Sequence, residues 1–310
     1  MIKPKFTVIG DYVIDKVISV SGMSSIHLGY MPDQPSYKVA IKLHQESEGQ
    51  ANAFQDYLRK EADFLNLFRH PNIIRIFPIS LPTGKITYCA RATNLQDRPW
   101  YFAMEYLPQG DLTQHIKKIK GFPIPWLIEF FYQLLITVQY LHRLGYAHCD
   151  LKPDNVLLRE DPDVRRVPTP ILTDFGTVHL LNSRMESPTR SMRYSPPEII
   201  LAHTRGDIQP SELNLQPGKV DIWSLGAILF ELLTGRALFN QRNEREITTS
   251  ILEGEIDKIH KLRPDASTYL DVALDVMLRK NPEERPDIDD LVSAFEERIS
   301  SVRPPRIPPM

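Results

Sequence analysis

Cysteine is nearly absent from this sequence: Cys89 and Cys149 are the two in 310 residues. Two are too few for a disulfide framework, so both read as free thiols of a reducing compartment, which points to the cytoplasm. Net charge is almost absent as well, at -2 with an isoelectric point near 6.5. No overall basic field recruits nucleic acid or anionic lipid, so no nucleic-acid partner is expected. Long apolar runs are missing too, since no stretch approaches the roughly 20 residues that span a bilayer. The opening MIKPKFTVIGDYVIDKV lacks the apolar core of a signal peptide. Repeats at solenoid period are not found. What is present, 42% hydrophobic and 25% charged residues, is the composition of an ordinary folded protein, long enough for one large core or two lobes.

The first 45 residues alternate apolar and polar positions in TVIGDYVIDKVISV, IHLGYM and YKVAIKL. That pattern predicts three antiparallel strands, turning at Gly22 and around MPDQPS. From Ala53 to Arg69 the period changes, with Phe54, Leu58, Leu65 and Phe68 at helical spacing until HPN stops the run. Glu61 falls on that apolar stripe, four residues before Leu65, and a carboxylate there needs a cation or costs several kcal/mol. RIFPISL and WYFAMEY read as further strands, joined by a long polar segment. Beyond PQGD the pattern is helical: DLTQHIKKIK, the largely apolar PWLIEFFYQLLITVQYLHRLG, DIWSLGAILFELLTG, TTSILEGEIDKIH, TYLDVALDVMLRK and DIDDLVSAFEERI. The chain thus divides into a strand-rich lobe, residues 1–107, a helical lobe, 108–300, and a proline-rich extended tail, 301–310.

Taken in order, the sequence carries VAIK at 39–42, Glu61, HCDLKPDN at 148–155, DFG at 174–176 and PPE at 196–198. This ordered set, spread over nearly the whole chain, resembles the eukaryotic-type Ser/Thr protein kinase family. The resemblance implies an α+β bilobal kinase-like fold, with a small antiparallel sheet lobe and a larger helical lobe. It also implies transfer of the γ-phosphate of ATP, with Mg2+, to a serine or threonine hydroxyl of a protein substrate. Such chemistry asks the protein for positioning and charge stabilisation rather than covalent work. Lys42 would hold the α- and β-phosphates while Glu61 fixes its ammonium. Asp150 would accept or orient the hydroxyl proton and Lys152 would reach the γ-phosphate. Asn155 and Asp174 would ligate magnesium through oxygen, as a hard cation prefers, whereas Asp154 reads as an exposed turn residue. Adenine would lie between Ile18, Ile26 and Ala40 above and Leu157 below, with Met104 behind and the backbone of Glu105 to Leu107 supplying hydrogen bonds. Asp111 would sit near the ribose or a basic group of the substrate. Glu198 is expected to pair with Arg285, and Asp221 to brace the catalytic-loop backbone.

Three departures from the family pattern stand out. The phosphate-binding loop SVSGMSSI puts Ser19, Ser21 and Ser24 where glycines are usual, with Gly22 between the last two. A positive φ at any of these serines would cost about 1–2 kcal/mol. Cys149 stands where many members have an arginine that receives a phosphate from the activation segment. Cys149 reads as a small buried filler rather than a redox group. Activity is therefore expected without phosphorylation of that segment, although Ser183, Ser187, Thr189 and Ser191 offer acceptors. Finally, the stretch LAHTRGDIQPSELNLQPGKV, 201–220, is longer than the usual connection. The lysine of DLKPDN matches the serine/threonine-directed style, and the economy of the chain is similar to the eukaryotic-like kinases of bacteria. The rival readings are a pseudokinase acting as a nucleotide-binding scaffold or allosteric regulator, and a small-molecule phosphotransferase.

Overall fold

The computed structural model describes residues 7–21, 24–44, 51–95, 97–118, 123–162, 167–183, 192–204 and 215–302; the side chains of 51–56, 117–118 and 301–302 are left aside. Gly22, the Phe54 side chain, Ser187, Thr189, Ser191, residues 205–214 and residues 303–310 of the expected tail lie outside what is described; Ser301 and Val302, placed in that extended tail, end the last helix instead. The chain divides into two units, one of 1–108 with Asp174–Gly176, the other of 109–173 with 177–310.

The first unit is built on an antiparallel sheet. Its leading strands are β1 (Thr7–Ile9), β2 (Tyr12–Val20), β3 (Ser24–Met31) and β4 (Gln34–His44). The single strand expected over TVIGDYVIDKVISV is a hairpin instead, with Ile9 opposite Tyr12. Gly10 makes the turn: its φ is +54°, and a β-carbon there would collide with the Tyr101 hydroxyl. Helix α1 (Ala51–Leu67) follows, then the short strands β5 (Ile76–Phe77), β6 (Ile79–Ser80), β7 (Ile86–Thr87) and β8 (Ala90–Arg91), and finally β9 (Trp100–Glu105). The sheet order is β1-β2-β3-β4-β9-β5, with β8 also on β9. The long polar segment between the two strand-like runs contributes β7 and β8. Ile9, Tyr12, Ile41, Leu43 and Tyr101 lead the core on one face. Because side chains alternate along a strand, Ala40 and Lys42 fall on the other face.

The second unit is mainly helical: α2 (Leu112–Lys118), α3 (Ile124–Arg143), α4 (Pro197–Thr204), α5 (Pro217–Thr234), α6 (Glu244–Glu253), α7 (Ile259–Leu262), α8 (Thr268–Met277) and α9 (Ile288–Val302). Two small ribbons join them, β10 (Tyr146–Ala147) with β13 (His179–Leu180) and β11 (Val156–Leu158) with β12 (Pro170–Leu172). The expected helix over TTSILEGEIDKIH is broken into α6 and α7. Gly254 caps α6, its N–H on the Ser250 carbonyl. Contrary to the expectation of no bilayer-length apolar run, α3 is long and apolar enough to cross a membrane by length and composition. Its apolar surface is spent inside the unit: nine of its residues, Phe130 and Phe131 among them, are buried. Phe131 meets Phe295 of α9 at 5.2 Å. Each such ring contributes roughly 1.5–3 kcal/mol by leaving water. α5 is buried on nearly every side, as a helix apolar around its circumference must be.

The largest buried charge in this unit is Arg285. Its Nη1 and Nη2 donate to Glu198 Oε1 and Oε2 at 2.7 and 2.8 Å. The remaining donors reach the carbonyls of Arg279, Lys219 and Lys280. Five hydrogen bonds thus occupy the five N–H groups of the guanidinium. The expected pairing of Glu198 with Arg285 is present, and it is fully satisfied.

Candidate active site

In the first unit the site is organised by β4 and α1. Ile26 lies opposite Lys42 in the β3–β4 register, and Met104 lies opposite Ala40 in the β4–β9 register. Cross-strand partners share a face, so Ile26, Ala40, Lys42 and Met104 come together, as expected from the sequence. Ala40, Met104 and Leu107 are buried, and Ile18 is exposed at an irregularity of the β2–β3 pairing. The Glu105 N–H is committed to the Arg75 carbonyl at 2.8 Å. This narrows the expectation that all of the 105–107 backbone serves a ligand.

Lys42 Nζ donates to Glu61 Oε1 and Oε2 at 2.8 and 2.7 Å and to Asp174 Oδ1 at 3.1 Å. The buried carboxylate flagged on the apolar stripe has the cation it needs. Burial works to lower the Lys42 pKa, but the Glu61 and Asp174 charges outweigh it and raise it well above the ordinary lysine value. Burial pushes the Glu61 carboxyl up to about 7, against the pull of Lys42 and of the Phe175 N–H. These shifts pull opposite ways within one pair. The double contact at 2.7–2.8 Å decides for the ion pair, because an ammonium so placed favours the charged carboxylate.

The serine loop carries no backbone penalty at its described positions. Ser19, Ser21 and Ser24 are not among the residues with positive φ, so the strain considered for them does not arise. Ser21 closes the loop instead, its N–H on the Ser24 carbonyl at 2.8 Å and its hydroxyl 3.0 Å from that of Ser24. Positive φ occurs within the site at Asp174, +63°, where a left-handed backbone costs about 1–2 kcal/mol.

The second unit carries its own group of candidate residues, on a loop braced from α5. Asp221, fully buried, accepts the N–H groups of His148 at 2.9 Å and Cys149 at 2.7 Å. These bonds hold Cys149 at φ +64°, a conformation uncommon outside glycine. His142 Nε2 also reaches Asp221, at 2.9 Å. His148 Nδ1 accepts the Asp150 N–H, which places its proton on Nε2, 3.1 Å from the Thr173 carbonyl. The sequence reading missed His142 and His148 as scaffold. The signal for His142 was a histidine in the last turn of the apolar helix.

Asp150 is held on one side only. Lys152 Nζ donates to Oδ2 at 2.7 Å, and Asn155 Nδ2 donates to the Asp150 carbonyl at 2.8 Å and to Oδ2 at 3.2 Å. Oδ1 is buried without a hydrogen-bond partner. An orphaned carboxylate oxygen is costly, and it is also an acceptor already in place. Asp154 is exposed, as expected. Asp111 caps α2 through Gln114, at 3.2 Å to the backbone N–H and 3.1 Å to the side-chain amide. Leu157 bridges to Asp111. Cys149 is 1% exposed, and burial raises its pKa well above the usual thiol range, in keeping with a filler.

Comparison with known proteins bears on the family of the chain. The chain is 23% identical to an Aurora kinase of Dictyostelium discoideum, over 92% of this chain and 65% of that protein. It is 25% identical to an Aurora kinase of Schizosaccharomyces pombe, over 92% and 70%. It is 30% identical to the serine/threonine-protein kinase Nek3 of Mus musculus, over 88% of this chain and 50% of the relative. The chain thus spans about half to two thirds of the length of these relatives. A domain family matches it from residue 21 to 294, with Lys42, Asp150 and Asp174 inside the match, and by that match the chain belongs to the protein kinase domain family.

Proposed function

We propose that the chain is a working serine/threonine protein kinase that uses Mg2+ and ATP, and that it does not require a phosphate on its activation segment. The observation that carries this reading is the state of Asp150: one oxygen is tied to Lys152 and Asn155 while the other is buried without a partner. Oδ1 is the base. As the substrate hydroxyl oxygen bonds to the γ-phosphorus and the bond to the ADP oxygen breaks, the hydroxyl proton passes to Oδ1. Lys152, beside Oδ2, supplies positive charge to the transferring phosphoryl group. Lys42 keeps its proton and holds the α- and β-phosphates, with Glu61 fixing its direction.

A divalent cation, when bound, neutralises phosphate charge. By the family pattern, Asp174 in the first unit and Asn155 in the second would each offer such an ion an oxygen donor. Because the Asn155 amide nitrogen is used on Asp150, its carbonyl oxygen is the atom left for the metal. Among the described residues no group of three or more His, Cys, Asp or Glu is arranged for a metal. A Mg2+ ion takes much of its shell from phosphate and water. The apolar face of Ile26, Ala40 and Met104 suits adenine. The assignments of Ile18, Leu107 and Leu157 follow the family pattern.

Cys149 is buried and offers no cation with which a segment phosphate could pair, which supports activity without one. The scaffold reading drew on the serine loop, and the lack of positive φ at Ser19, Ser21 and Ser24 takes away the strain argument for it. Two free thiols suit a reducing compartment such as the cytoplasm. The test is transfer of labelled γ-phosphate to a generic basic protein, with identification of the acceptor residues. Label on serine or threonine, with Asp150→Ala lowering turnover about 10²–10⁴-fold, is the expected result. ATP binding without transfer would overturn the reading.

A further inference from the structure

Helix α1 covers Asp174, Phe175 and Gly176 one by one. Lys42, itself held by Glu61, takes the Asp174 carboxylate. Phe175 is fully buried, lies 5.5 Å from the Phe68 ring and donates its N–H to Glu61. Gly176 lies against the ring of Tyr57. A β-carbon built on Gly176 would collide with Tyr57 Cε1 and stand 2.9 Å from Cζ and 3.0 Å from Cδ1. Tyr57 and Glu61 are four residues apart and Phe68 is seven further on, so the three form one stripe of contacts from the helix side.

Glu61 belongs to the phosphate-anchoring group, Phe68 to the core, and Tyr57 meets Gly176. Tyr57 is 36% exposed, so filling the core does not account for it. Gly176 has no left-handed φ, so the backbone there does not itself demand glycine. What excludes a β-carbon at 176 is the Tyr57 ring. Glycine is also the loosest link a chain can have, and this one stands two residues after Asp174, whose own backbone is held at φ +63°. A strained residue followed closely by a permissive one relaxes unless something covers it.

We propose that Tyr57 is a positioning residue for the metal-binding aspartate: its ring, seated on Gly176, keeps the Asp174–Gly176 turn in the conformation that presents the Asp174 carboxylate to a divalent cation. The proposal rests on the kinase reading above, in which Asp174 binds that cation. Without the ring, Gly176 is released and Asp174 can leave its left-handed conformation. Cation affinity then falls while the Lys42–Glu61 pair stays in place.

The experiment is Mg2+ titration of the binding of a fluorescent ATP analogue to the full chain, with phosphate transfer measured alongside and thermal unfolding as a check of the fold. Tyr57→Phe, which keeps the ring on Gly176, should raise the Mg2+ concentration for half-saturation far less than Tyr57→Ala does. Tyr57→Ala should raise the Mg2+ concentration for half-saturation about tenfold, the size of the backbone preference it releases, with little change in metal-free nucleotide binding. Gly176→Ala should show a similar defect, because its β-carbon meets the ring. The double variant Tyr57→Ala/Gly176→Ala should be no worse than the poorer single one, since the collision is gone. If Tyr57→Ala does not fold, Tyr57→Leu, which keeps volume but not the flat ring, carries the same expectation. Unaltered Mg2+ dependence in the Tyr57 variants, or defects that multiply in the double variant, would overturn this proposal alone. If Mg2+ had no effect on nucleotide binding to the unaltered chain, this proposal and the kinase reading would fall together.

Discussion

Asp174 and Cys149 hold left-handed backbones that neighbours must stabilise. For Cys149 the support is Asp221. Asp221→Ala leaves two buried N–H groups without acceptors and should destabilise the chain by about 3–5 kcal/mol in denaturant unfolding. A loss under about 1 kcal/mol would show that the loop is held by something else. The two thiols give a second prediction. Burial raises the Cys89 pKa from 9.0 to about 12, with Arg59 opposing and Asp63 and Glu61 adding to the shift, and Cys149 moves the same way. Both should resist thiol reagents at pH 8 in the native chain and react on unfolding. A raised folded pKa contributes stability that is whole below the unfolded value, so the Cys89 contribution is lost as pH climbs from 9 toward 12. Rapid native labelling of either thiol would contradict this. At this scale the sequence was most legible where chemistry forced a partner. Glu61 on an apolar stripe called for a cation, and Lys42 supplies it. His142 and His148 were not legible, because a histidine that serves as scaffold looks in sequence like any other.

Among the elements, periodicity located the long helices and the central strands, since a stripe at 3.6 or an alternation at 2 follows directly from which side meets the core. It failed where a turn residue sits inside a pattern that continues on both sides. Gly10 folds one apparent strand into β1 and β2, and Gly254 ends α6 where helical residues resume. The short strands β7 and β8 are two residues each, too short to show a period. The loop between β2 and β3 departs from the family in composition but not, at its serines, in backbone. The Ser21 and Ser24 hydroxyls are exposed and bound to each other, a contact worth about 0.5–1.5 kcal/mol at most. Ser24→Ala should therefore change the KM for ATP by less than about tenfold. A hundredfold rise would mean that the hydroxyl itself contacts phosphate.

For the molecule as a whole, membership of the family was legible because five motifs fall in the right order on the right elements, and no single one of them would have sufficed. The division near residue 108 was legible from the change of period. The grouping of Asp174–Gly176 with the first unit was not, since it depends on contacts with α1 that sequence distance hides. Stability of the second unit leans on Arg285. Arg285→Lys, with three donors in place of five, should cost about 3–5 kcal/mol in unfolding, as breaking a buried pair does; a neutral result would show that Glu198 finds another partner.

The central claim is that the catalytic machinery works as it is built, without help from a phosphate on the activation segment. Its most direct test is turnover of phosphatase-treated protein with Mg2+ and ATP, measured beside Asp150→Ala and beside a chain with alanine at Ser183, Ser187 and Thr189. The account predicts that the treated chain and the triple variant keep turnover close to the untreated value while Asp150→Ala loses it. Loss of turnover in the treated chain and in a folded triple variant would contradict it.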